Sequence, residues 1–140
     1  MLKVFVDSDV VIPSLISSNG AAFLLLNEID ELDLFISNIS NQELEEVVDR
    51  LQLNREQLEK LISKSLTSTH LKNSIGELKE EYSKYVLDID DAHIVAGAKE
   101  ANVQFLISYN TKHFKADKLK EDFNIILTTP ANLLQHLRSQ

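Results

Sequence analysis

"DIDDAHIVAGAKEANVQFLIS", residues 88–108, sets three aspartates in front of a run of small and branched apolar residues that leads into a second apolar run. Ile94, Val95 and Ala98 follow Asp91 by three, four and seven positions, the spacing of one helix face. "VQFLIS", 103–108, has the branched and aromatic content of a short buried strand. A helix starting near Asp90 therefore feeds a strand.

The same alternation recurs on either side. "LKVFV", 2–6, stops abruptly at Asp7, as a strand buried on both faces would, and "LDLFIS", 32–37, and "FNIILTT", 123–129, are similar. Between them, "SLISSNGAAFLLLNEIDE" after Pro13 reads as one or two helices broken near Asn19-Gly20. "SNQELEEVVDRLQL" starts at Ser40 with Glu43 three residues on, a capping-box pattern, and "NREQLEKLISKSL" offers Asn54 as its cap. "IGELKEEYSKYV", in the polar stretch 67–85, has the composition of another helix, and "PANLLQHL" puts proline in a first helical turn. Strands alternating with helices predict a parallel sheet of four or five strands covered on both sides.

With 140 residues, the chain is expected to form a single domain, 1–140. No run approaches the roughly 18 consecutive apolar residues of a membrane span. The first residues, interrupted by Asp7 and Asp9, do not match a secretory signal, and the absence of cysteine excludes disulfides and thiolate metal sites. A cytoplasmic location, away from any membrane, is the expectation. The net charge of −8 counts against a generic nucleic-acid binder. Carboxylates gathered around a divalent cation would, however, make the sequence look more acidic than the loaded protein is.

In open sheets of this type, sites form beyond the carboxyl ends of the strands. Asp7, Ser8 and Asp9 follow the first strand, Ser37 and Asn38 the second, and Ser108 to Asn110 the one after the central helix. Asp88 suits an N-cap and Asp90 falls on a different face, whereas Asp91 lies at the end of the inward stripe, where a carboxylate must be paired or hydrogen-bonded. A purely structural account also exists: first-turn acids favour a helix dipole, Asp7 could bind loop amides, and Glu43 could do no more than complete its capping box. Should Asp7, Glu43 and Asp91 converge, their repulsion calls for a cation, and hard oxygen donors without His or Cys select magnesium or manganese.

These residues resemble the PIN-domain ribonucleases, in particular VapC-type toxins of toxin-antitoxin pairs. The resemblance is carried by the strand ending in "VDSDVVIPSL", the Glu of "SNQELEEV", the block "DIDDAHIVAGAKEANVQFLIS" and the following "YNTKHF", and it spans most of the chain in order. It implies a PIN-like three-layer α/β/α sandwich and an endoribonuclease dependent on Mg²⁺ or Mn²⁺. Asp7, Glu43 and Asp91 would hold the metal, with Asn110 completing the catalytic set where members often have a fourth acid. Ser8, Asp9, Asp88, Ser108 and His113 would be accessory, and Asp9 could supply part of the missing charge. Lys112, Lys115, Lys118 and Lys120 would form a basic rim for RNA, unless they belong to an ordinary solvated helix face. The family context further implies a cognate antitoxin and a homodimer, and "AAFLLL", 21–26, suits a dimer surface as well as a core.

Two other readings fit parts of the sequence. With Asn110 in the fourth position the chain could be an inactive PIN-like binding module. "VFVDSDVV" also fits the DxDx(V/T) signature of haloacid-dehalogenase-like phosphatases, with Asp7 as nucleophile and Asp9 as general acid and base.

Overall fold

In the computed structural model, which describes residues 1–139, five parallel strands form one sheet in the order β3-β2-β1-β4-β5. These are β1 (Leu2–Val6), β2 (Leu32–Ser37), β3 (Leu66–Thr69), β4 (Phe105–Ile107) and β5 (Ile126–Thr128). The expected alternation is thus realised. In β1, Val4 and Val6 enter one core while Phe5 enters the other, and in β4 Phe105 and Ile107 oppose Leu106 in the same way. That period of two, with a core on each face, is why Val4–Val6 and Phe105–Ile107 are apolar at consecutive positions.

One layer is built by α1 (Ser8–Ile16), α2 (Ala21–Asn27), α3 (Asn38–Arg50), α4 (Arg55–Ser65) and α8 (Pro130–Arg138). The other is built by α5 (Ile75–Tyr82), α6 (Ala92–Glu100) and α7 (Ala116–Phe123). The "AAFLLL" segment lies mainly in the core, with Ala22, Leu25 and Leu26 buried and Phe23 and Leu24 partly so. Among the described residues no single helix is long and apolar enough to cross a membrane; α1 and α2 qualify only together, and they turn by 98° at their junction.

Three local expectations are corrected. The first helix begins at Ser8, not after Pro13: the Asp7 carboxylate caps it, and burial of Val10 and Val11 outweighs the backbone bond that Pro13 removes. The third helix begins at Asn38, because the Ser37 hydroxyl accepts the Ser40 amide at 3.0 Å and serves as the cap; Glu43 is then two turns along and takes no part in a capping box. A capping box does form, at Ser74 and Glu77 ahead of α5. The strand β3 was hidden in "LTST", where Leu66 alone is buried, because an edge strand needs few apolar residues.

Helix α6 is the most enclosed of the helices, with all seven residues Ala92–Ala98 buried. A Cβ placed on Gly97 would sit 2.5 Å from Cζ of Phe5, itself wholly buried in the central strand. Gly97→Ala, which on an open helix would add about 1 kcal/mol, is therefore expected to destabilise by about 1–3 kcal/mol through overpacking. Gly76→Ala in α5, where the nearest atom is 4.0 Å away, should be neutral or stabilising; urea denaturation of the two variants checks the contrast.

Candidate active site

The chain leaves β1 toward β2 on one side and leaves β4 toward β5 on the other, so the carboxyl ends of β1 and β4 flank the point where the winding reverses. Asp7 follows β1 and Ser108 follows β4, and they meet there: Ser108 Oγ donates to Asp7 Oδ2 at 2.8 Å. The Asp7 carboxylate also accepts the Asp9 amide at 3.4 Å and the Ser8 hydroxyl at 3.5 Å. With 6 % of its surface exposed, Asp7 forms the floor of an open cleft of about 420 Å³. Ser8, Asp9, Glu43, Glu46, Arg50, Asp90, Asp91, His93, Asn110 and His113 share its lining. A larger apolar hollow of about 670 Å³, at Met1, Ile29, Leu134 and Leu137, lies around the opposite end of β1 and holds none of these acids.

The three aspartates of the 88–91 segment have separate settings. Asp88 accepts the Asp90 amide at 3.0 Å and caps a single 3₁₀ turn, Ile89–Asp91, that precedes α6. Asp90 is exposed and pairs with Lys79 at 3.0 Å. Asp91 stands at the start of α6 without a capping bond, half-buried at the cleft, 3.4 Å from Nδ1 of His113.

Asp9 is committed elsewhere. Its Oδ2 accepts from the amides of Tyr109 and Asn110 and the Asn110 side-chain Nδ2 at 3.0–3.1 Å, and shares the single Ser108 hydroxyl hydrogen with Asp7, at 3.1 Å. It thereby clamps the loop after β4, and Asn110 faces the cleft held by its amide nitrogen. That loop is tied in turn to the segment before Asp88: Val86 and Phe114 form an antiparallel bridge, Leu87 N donates to His113 O at 2.8 Å, and Lys115 N donates to Tyr85 O at 2.9 Å.

Lys112, Lys115, Lys118 and Lys120 are exposed, yet none lines the acidic cleft; Lys112 borders a neighbouring hollow with Thr128, Thr129 and Asn132. The cation in the cleft is Arg50, which the sequence reading missed although Glu43, Val47 and Arg50 have the i, i+4, i+7 spacing of one helix face. His93 was missed as well. It is buried, and its Nε2 lies 3.2 Å from Glu43 Oε1. The available signal was a polar ring inside a run of apolar residues, which requires a partner.

Burial pushes the Asp7 carboxyl up to about 7, helped by the neighbouring Asp9 charge. Burial likewise raises Asp9, against the hydrogen bonds from Tyr109, Ser108 and Asn110, and raises Asp91, against nearby His113. Crowded, desolvated carboxyls held above their ordinary range form a donor set suited to a hard cation. Among the described residues, however, no three His, Asp or Glu side chains converge closely enough to make a ready ion cage. Glu43 contacts His93 and Asp91 contacts His113, and all four residues line the same cleft.

The sequence profile of the PIN domain matches residues 3–112. The chain belongs to the PIN domain family. No curated protein matches it by sequence. Its fold is similar to those of several solved structures: VapBC2 from Rickettsia felis bound to a promoter DNA fragment has 20 % identity and a TM-score of 0.62, over 91 % of this chain and 98 % of that one. VapBC-1 from nontypeable Haemophilus influenzae has 14 % identity and a TM-score of 0.60, over 93 % and 99 %. Mycobacterium tuberculosis VapC20, a toxin that cleaves the sarcin-ricin loop, has 17 % identity and a TM-score of 0.52, over 86 % and 95 %. The phosphatase reading falls with the family match, since the DxDx(V/T) pattern is here part of a PIN domain.

The Asp7 carboxyl gives this PIN domain a pH dependence. The folded chain keeps the Asp7 proton up to about pH 7, whereas the unfolded chain releases it near 3.8. The contribution is therefore complete below pH 4 and is lost as pH rises toward 7. Asp7→Asn retains an N-capping oxygen and removes the cost of burying a charge. In chelator-treated protein it should raise stability at pH 8 by roughly 1–3 kcal/mol and leave pH 4 nearly unchanged; thermal melts of wild type and variant across pH 4–8 measure the difference.

Proposed function

We propose that the chain is a metal-dependent endoribonuclease and the toxin of a toxin-antitoxin pair. The observation that carries this reading is the placement of Asp7, Asp91 and Glu43 around one cleft at the winding reversal of a PIN-domain sheet. Asp7, Glu43 and Asp91 would hold Mg²⁺ or Mn²⁺, their carboxylate oxygens being the hard donors such ions prefer. The ion would supply Lewis acidity that activates water for in-line attack and offsets the charge developing on a phosphodiester.

The other residues act on the substrate or on these acids. Ser108 holds Asp7 in place, and Ser8 lies against the other carboxylate oxygen. Asp9 fixes the loop that presents Asn110 at the cleft, where its side-chain oxygen would serve in place of a further acid. Arg50 and His113 offer hydrogen-bond donors to phosphate oxygens at the cleft wall. Lys112, Lys115 and Lys118 lie farther out, where they steer an RNA strand toward the acidic floor. The Rickettsia and Haemophilus matches are VapBC assemblies, which supports an antitoxin as the protein partner; a homodimer and a cytoplasmic location belong to the same reading.

Incubation of the full chain with single-stranded and hairpin RNAs, with Mn²⁺, Mg²⁺ or chelator, tests it. Cleavage should require the cation and fall at least about 100-fold in Asp7→Asn and Asp91→Asn, the scale expected for groups acting on the reacting atoms. Asp9→Asn should lose far less, because that carboxylate organises a loop. Cation binding without cleavage would identify a PIN-like binding module instead, and cleavage unaffected by chelator would refute the metal role.

A further inference from the structure

We infer that His93 is a positioning residue that fixes Glu43 for its part in the acidic site, an inference that rests on the metal-dependent reading of that site. His93 is the polar side chain within the seven fully enclosed residues of α6. Such a ring must find a partner or be costly, and Nε2 finds one, Oε1 of Glu43 on α3, at 3.2 Å. Nδ1 is buried with no hydrogen-bond partner. The fold alone would be served better by an apolar side chain of similar volume, which would leave no polar atom unpaired. What the imidazole adds is its effect on Glu43.

Glu43 needs that effect. Its side chain is 47 % exposed on an otherwise freely rotating stem, while Asp7 is held by Ser108 and Asp91 by the start of α6 and His113. Among the described residues Glu43 has no other polar side-chain partner, so the contact of His93 with Oε1 leaves Oε2 available to the cleft. His93 lies two residues after Asp91 on the same rigid helix, so the imidazole references the third carboxylate to the second. Partners of this kind orient metal ligands, and their loss typically costs about 10–100-fold in metal affinity.

Calorimetry with Mn²⁺ as the probe, on the full chain, tests the assignment. His93→Leu should weaken binding about 10-fold or more, whereas His93→Gln, which keeps an Nε2 donor, should restore most of it. In a Glu43→Gln background the Leu substitution should cost little further. Should His93→Leu not fold, as judged by circular dichroism, His93→Asn, with an amide too short to reach Glu43, takes its place. Independently of metal, the His93 ring ¹⁵N resonances should shift in Glu43→Gln. Unchanged Mn²⁺ affinity in His93→Leu, or an equal loss with and without Glu43, overturns the inference and leaves the nuclease reading intact. A wild-type chain that binds no Mn²⁺ while the ¹⁵N shift is present overturns both.

Discussion

A carboxylate buried at the carboxyl end of the central strand is the constraint on which the rest of the molecule depends. Water is largely withheld from Asp7, so the protein must supply its neighbours: the Ser108 hydroxyl from the adjacent strand, the Asp9 amide from the helix it caps. The parallel pairing of β1 with β4 brings Ser108 into reach, and α1 must start at once for the Asp9 amide to be presented. Sheet order, helix start and site floor are therefore one solution to a single electrostatic problem.

The second feature is a division of labour among acids that the sequence displays as equals. Asp7 and Asp9 are two residues apart, and Asp88, Asp90 and Asp91 are nearly consecutive, yet their partners differ sharply. Asp9 and Asp88 satisfy backbone amides, Asp90 pairs with a lysine in solvent, and Asp7 and Asp91 are left facing a cleft. Three-dimensional partners, not composition, separate the carboxylates that shape loops from those with capacity left for a ligand. The asparagine at 110 fits the same logic, since its amide nitrogen is bound by Asp9 while its side-chain oxygen has no hydrogen-bond partner among the described residues.

Much of this was legible in advance, where the signal is local. The apolar stripe of 94–98 identified α6, the abrupt stop at Asp7 located the end of β1, and Pro130 marked the start of α8. The two misplaced helix starts share a cause: more than one side chain could cap each. Ser37 and Ser40 both suited α3, and only the register of β2, ending at Ser37, decides between them. Arg50 and His93 left only faint local traces, a helix face shared with Glu43 and a polar ring among apolar neighbours, and their place at the cleft comes from how α3 and α6 pack around it. The edge strand β3 lacked the apolar content that marks its neighbours.

The backbone bonds between the segments 85–87 and 113–115 give the cleft two unequal walls. The loop bearing His113 and the turn bearing Asp91 are stitched together by main chain, so they move as a single jaw. Across from them, α3 meets α6 at the cleft with the side-chain contact of Glu43 to His93. Any change in the width of the cleft mouth thus falls to the Glu43 side chain, where a rotamer change suffices, while the opposite wall is held in shape by its main-chain bonds.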